Sequence, residues 1–133
     1  TLYKPQIVQK IVDSSGSSKK VIKEFQPEVI DANFIDPGIL KIVREGMRDG
    51  VQKAYGSSYF LSTLPVAVAG KTGTAETNRK GHYNSWSSNF APYDDPEIVF
   101  VVTVESVDGF LPATLPVAYE VLQYYSQGRE GIK

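Results

Sequence analysis

The densest chemistry in the chain lies in Val68-Ala69-Gly70-Lys71-Thr72-Gly73-Thr74-Ala75-Glu76. An apolar start runs into a cation, two hydroxyls and two glycines. Lys71 offers a point positive charge and Thr72 and Thr74 offer hydroxyl donors. Gly73 has no side chain to block a ligand lying along the backbone. Such a strand suits an extended substrate ending in a carboxylate: the main chain pairs with the substrate, while the charge and hydroxyls hold the anion. The competing reading is a phosphate loop, because Gly70-Lys71-Thr72 matches the end of the Walker A pattern. That pattern needs a glycine five positions before Gly70, where Pro65 stands. It also needs a helix to follow, whereas residues 75–81 are polar and lead into another strand. Both requirements fail.

The elements that must position this stretch follow from periodicity. Residues 66–76, 83–92 and 97–105 read as strands, and Tyr93-Asp94-Asp95-Pro96 is a tight turn that makes the second and third an antiparallel hairpin. Residues 71–75 are expected on a strand at one edge of the sheet, with the Lys71 and Thr72 side chains on opposite faces. Ahead of them, Asp36 can cap a helix that Pro37 opens. Ile39, Leu40, Ile42, Val43, Met47, Val51, Ala54 and Tyr55 recur there at helical spacing, Gly56 marks the stop, and the apolar face is read as core. Residues 57–64 form a turn or short helix. A last helix is expected from about Leu115 to Gln127, with Gly128 ending it, after a loop over 107–114. At the front, residues 6–12 and 20–25 are β-branched runs around Asp13-Ser14-Ser15-Gly16-Ser17-Ser18, which reads as a β-hairpin with a loose tip. Residues 27–34 read as a connector.

The 133 residues amount to one ordinary domain. Fourteen Lys and Arg against 15 Asp and Glu leave a net charge of -1, without the cationic density that nucleic-acid binding requires. The absence of cysteine excludes disulfides, thiolate metal sites and cysteine nucleophiles, and fits an oxidising compartment. No apolar run approaches the roughly 20 residues of a spanning helix. The opening Thr1-Leu2-Tyr3-Lys4-Pro5 has neither an initiator Met nor an apolar leader, so the chain is expected to be a soluble piece of something larger.

Lys71-Thr72-Gly73 is also the Lys-Thr-Gly motif of penicillin-interacting serine enzymes. Thr1-Leu2-Tyr3-Lys4-Pro5-Gln6-Ile7-Val8 stands before it. Asn89-Phe90-Ala91-Pro92-Tyr93-Asp94-Asp95-Pro96-Glu97-Ile98-Val99 stands after it. With these in order, the chain resembles the end of a class B penicillin-binding protein, most of all the C-terminal part of the transpeptidase domain in the elongation-type penicillin-binding protein 2 group. The resemblance covers nearly the whole chain and is strong because the motif has both its strand context and the Phe-Ala-Pro hairpin.

This resemblance implies an α+β fold of the serine β-lactamase-like kind. The part present here would be an antiparallel three-stranded sheet with packed helices and an N-terminal β-hairpin, residues 1–133 forming the C-terminal portion of the domain. It implies a D,D-transpeptidase that cross-links peptidoglycan stem peptides through an acyl-enzyme on serine. Lys71 would then contribute charge and hydrogen bonding as a catalytic group. Thr72 and Thr74 would bind the terminal carboxylate of a D-Ala-D-Ala stem peptide or a β-lactam. Gly73 would allow close approach, and the Thr74 backbone N–H would form half of the oxyanion hole. The other implied partners are the rest of the transpeptidase domain and cell-wall elongation proteins. The location would be the periplasmic face of the cell membrane, with the anchor outside this chain. No cofactor and no metal are expected.

The family also needs a Ser-x-x-Lys nucleophile and a Ser-x-Asn, both before the Lys-Thr-Gly strand. Ser17-Ser18-Lys19-Lys20 and Ser87-Ser88-Asn89 match these spellings. Ser17 lies in a Gly/Ser turn, where no helix brings a lysine onto its hydroxyl. Ser87-Ser88-Asn89 follows Lys71 instead of preceding it. Both are rejected, so no nucleophile is assigned; the isolated chain is expected to be inactive, and either to self-associate or to keep its companion segment bound. A non-catalytic β-lactam-sensing domain of the same fold is the alternative, and a serine β-lactamase is a weaker third. His82 is read as a solvated loop residue, Trp86 as core or rim packing, Asp94 and Asp95 as turn chemistry, and Lys19, Lys20 and Lys23 as a solvated hairpin face.

Overall fold

A computed structural model describes residues 1–16 and 19–130, the last two of these by their backbone alone. The chain divides into two compact units, Thr1–Leu40 and Lys41–Lys133. In the first, β1 (Leu2–Tyr3), β2 (Lys10–Asp13), β3 (Lys20–Glu24) and β4 (Val29–Asp31) form two separate antiparallel pairs, β1 with β4 and β2 with β3. The β2–β3 ribbon is the expected hairpin, shortened because residues 6–9 stay outside it and its register shifts between Ile11 and Val12. Its Ser17-Ser18 tip lies outside the described residues. The connector reading of residues 27–34 is corrected: Val29–Asp31 pairs with the N-terminal residues, supported by Lys4 N–H donating to Glu28 O at 2.9 Å and the Lys4–Glu28 ion pair at 3.0 Å. Among the described residues of this unit none is buried, and Val21, Ile22, Val29 and Ile30 face solvent. Two-stranded ribbons alone bury too little to build a core.

α1 (Pro37–Gln52) starts where expected. Asp36 Oδ1 accepts from the Gly38 and Ile39 N–H groups at 2.8 and 3.2 Å, and Pro37 needs no partner in the first turn. The helix stops at Gln52, before Tyr55, and its apolar face is not core in this chain. Ile39, Leu40, Ile42, Val43 and Tyr55 are exposed, and of the face only Val51 is buried. Helical spacing fixes which residues share a side but not what covers that side.

A turn and a 3-10 helix (Tyr59–Thr63) lead to the sheet of β5 (Ala69–Glu76), β6 (His82–Ala91) and β7 (Ile98–Asp108), antiparallel throughout in the order β5-β6-β7. Among the described residues β5 is therefore an edge strand. α2 (Thr114–Glu130) closes the chain. It runs past Gly128, a helix weakener that does not break α2. β7 is longer than expected and takes in Val107 and Asp108. Its bulge opposite Tyr83 and Ser85 puts Ser106 at φ 56 and obscures strand alternation there. Val51, Leu61, Leu64, Val68, Ala91, Leu115, Ala118 and Leu122 form the core, with Ile98 and Phe100 packed against it.

Candidate functional site

The pairing register sorts the site residues by face. Gly70, Thr72 and Thr74 stand opposite Asn89, Ser87 and Ser85 on β6, all on one side of the sheet. Lys71 and Gly73 stand opposite Ser88 and Trp86 on the other side. The expected arrangement is present: an edge strand with two hydroxyls on one face and the cation on the other. Thr72 and Gly73 are half-buried, and Lys71 and Thr74 are open to solvent. The Lys71 ammonium donates to the Thr72 carbonyl. Gly73 stands opposite Trp86 on β6, where an added Cβ would meet Trp86 Cβ at 3.5 Å, an ordinary contact.

The root of this strand is held from several sides. Arg48 on α1 donates Nη1–H to Val68 O at 2.8 Å, and Arg44 donates Nη2–H to Tyr93 O at 2.7 Å while lying over the Phe90 and Tyr93 rings. Arg44 thus ties α1 to the turn after β6. Gly70 is fully enclosed. A Cβ there would sit 2.8 Å from Asn89 Oδ1, 3.4 Å from Ser58 Oγ and 3.5 Å from Val51 Cγ2. Asn89 in turn donates Nδ2–H to Ser87 Oγ at 3.1 Å, and its Oδ1 and the Ser58 hydroxyl are buried without hydrogen-bond partners among the described residues. Beneath them, the buried Ser85 and Thr114 hydroxyls lie 3.4 Å apart and link β6 to the start of α2.

One contact escaped the sequence reading. The Thr72 hydroxyl donates to Ser57 Oγ at 2.8 Å. Ser57 sits in the turn after α1, and nothing in its local spelling points to a residue fifteen positions on. Ser87-Ser88-Asn89 lies on β6 beside the motif strand, with Ser87 and Asn89 buried, so its residues pack the sheet. The other look-alike motif, at Ser17, falls outside the described residues. His82 is not a solvated loop residue: it opens β6, half-buried, with Nδ1 3.1 Å from Ser106 O. Trp86 takes the rim position and is 42% exposed. Asp94 and Asp95 are exposed turn residues.

Residues 1–123 match the family model of the penicillin binding protein transpeptidase domain. The chain belongs to this transpeptidase family. It is 29% identical over 114 residues to the peptidoglycan D,D-transpeptidase MrdA of Haemophilus influenzae, covering 74% of this chain and 18% of MrdA. It is 32% identical over 114 residues to the stage V sporulation protein D of Bacillus subtilis, covering 82% of this chain and 17% of that protein. Among solved structures, Pseudomonas aeruginosa PBP2 in complex with WCK 5153 superposes with a TM-score of 0.64 at 26% identity, over 80% of this chain and 23% of the other. The α+β architecture is therefore that of the penicillin-binding transpeptidases. The chain spans less than a fifth of the length of the two curated relatives, at 18% and 17%.

Proposed function

We propose that this chain supplies the carboxylate-binding and oxyanion edge of a serine D,D-transpeptidase that cross-links peptidoglycan stem peptides and reacts with β-lactams. The observation that carries the proposal is the edge strand itself, with Thr72 and Thr74 side by side on one face and Lys71 close to them through the Thr72 carbonyl. Thr72 and Thr74 bind the ligand's carboxylate, Gly73 admits the ligand to the backbone, and Lys71 supplies the field that favours an anion there. The Thr74 N–H is one of two donors to the oxyanion that forms when serine attacks the carbonyl.

The nucleophile comes from outside these 133 residues, which act as the C-terminal portion of the domain and are inactive alone. Membership of the transpeptidase family and the relatives' much greater length support that division. Partners in this reading are the D-Ala-D-Ala stem peptide, the remainder of the domain and the elongation proteins of the cell wall, at the outer face of the cell membrane. Among the described residues no helix is long and apolar enough to cross a membrane.

A fluorescent penicillin tests the proposal. The full-length gene product is expected to retain label through denaturing electrophoresis and to lose it on Thr74→Pro, which removes the oxyanion donor. The 133-residue chain alone is expected to take up none. Stoichiometric labelling of that chain, abolished by Ser17→Ala, would overturn the division of labour.

A further inference from the structure

We infer that Ser57 is a positioning residue for the motif strand, aiming the Thr72 hydroxyl at an anionic ligand; this deepens, and rests on, the carboxylate-binding role proposed for Thr72. The contact is a single hydrogen bond of 2.8 Å between two hydroxyls, reaching from the turn after α1 to β5. That turn is anchored. Ser58 N–H donates to Gly50 O at 3.0 Å, Gly56 N–H to Lys53 O at 2.8 Å, and Ser58 is fully buried beside Gly70. Ser57 is therefore presented to Thr72 by a fixed backbone and not by a wandering loop.

The direction of the hydrogen bond is what matters chemically. A carboxylate only accepts, so Thr72 is useful to it only as a donor. Without a ligand, the Thr72 hydroxyl donates to Ser57. A hydroxyl carries one proton and two lone pairs, and both protons rotate freely. When a carboxylate arrives, Ser57 turns its proton onto Thr72 Oγ1, and Thr72 turns its own onto the anion. Thr72 then accepts on one side while donating on the other, and the first bond polarises the second. The hydrogen bond that the Lys71 ammonium makes goes to the Thr72 carbonyl and not to this hydroxyl. Ser57 thus favours ligands that carry a carboxylate and is indifferent to those that do not.

The test uses the full-length gene product, benzylpenicillin and the methyl ester of benzylpenicillin, with the pre-acylation dissociation constant and the acylation rate constant measured separately by stopped flow. Ser57→Ala is expected to raise the dissociation constant for the free acid by about five- to tenfold, the loss of one aligned hydroxyl–hydroxyl hydrogen bond behind the donor. It should leave the acylation rate constant and the ester's dissociation constant within about twofold, and Ser57→Thr should restore binding of the acid. Equal weakening for acid and ester would mean that Ser57 only supports the fold, and would overturn the inference. So would a Ser57→Ala protein that binds the acid normally while Thr72→Val does not. A wild-type protein that reacts with neither compound would instead overturn the carboxylate-binding proposal, and this inference with it.

Discussion

Gly70→Ala probes the packing behind the motif directly. The added methyl carbon would lie 2.8 Å from Asn89 Oδ1, inside any ordinary carbon–oxygen contact, and 3.4 and 3.5 Å from Ser58 Oγ and Val51 Cγ2. Those neighbours belong to β6, to the turn after α1 and to α1 itself; the Asn89 oxygen must move, while the other two already stand at contact distance and close off the remaining space. Forcing one extra carbon into a packed site costs about 2 kcal/mol. Against this, alanine restricts the unfolded chain and recovers about 0.7 kcal/mol, because Gly70 does not lie in the left-handed region. The net loss is about 1.3 kcal/mol, a fall of about 0.9 M in the urea midpoint at a slope of about 1.5 kcal/mol/M. Trp86, the single tryptophan, stands on β6 two residues from Ser88 and reports the unfolding by fluorescence. Asn89→Ala removes the oxygen that clashes. In that background Gly70→Ala should cost nothing, giving a coupling of about 1–2 kcal/mol in the double-mutant cycle. A Gly70→Ala midpoint at or above the parent's would refute the contact, as would a cycle with no coupling.

Two further outcomes are expected. Arg48→Met, which keeps the apolar stem but removes the donor to Val68 O, leaves a carbonyl of a fully buried residue without that partner. It should cost about 1–3 kcal/mol by urea unfolding, with a loss under about 0.5 kcal/mol showing that the brace is idle. In the β2–β3 hairpin, the Ser15 backbone N–H, and after it the Ser15 hydroxyl, hold the exposed Asp13 carboxyl below its ordinary value of 3.8. Because the folded pKa is the lower one, the turn is stabilised above the unfolded value and loses that support as pH falls through the folded value. A carbon-13 NMR titration of Asp13 with a midpoint at or above 3.8 would contradict this.

What was legible in the sequence follows local chemistry. Asp36-Pro37 announced the start of α1 because a cap and a proline act within one turn, and Tyr93-Asp94-Asp95-Pro96 announced the β6–β7 hairpin for the same reason. The motif strand and its two faces were legible because Lys71, Thr72 and Thr74 must alternate in any strand. The residues that hold the strand were not. Arg48, Ser57, Ser58 and Asn89 reach Val68, Thr72 and Gly70 through space, and none departs from what a helix, turn or strand would contain anyway. The apolar stripe of α1 was legible but its cover was not, because periodicity identifies such a stripe without showing what packs on it, and in this chain most of it is exposed. The partner strand of Leu2–Tyr3 was missed because Val29–Asp31 is too short to show alternation.

The supports of β5 are all gathered at one end. Arg48, Gly70, Asn89 and the Ser57-Ser58 turn grip the strand where it begins, whereas residues 77–81 at its far end are tied within their own turn, to His82 at the start of β6 and, through Gly81 O, to the N–H of Gly109 just past β7. The chemistry of residues 71–74 therefore sits beside a fixed hinge-post, and the span beyond it works as an overhang. Insertions, deletions or charge changes in residues 77–81 can be absorbed within the overhang, since loop length is cheap to vary where the ends stay paired. A lineage bearing this strand can thus remodel whatever approaches from the tip while leaving the hydroxyls at the post undisturbed, so recognition at the two ends of one strand is free to evolve at different speeds.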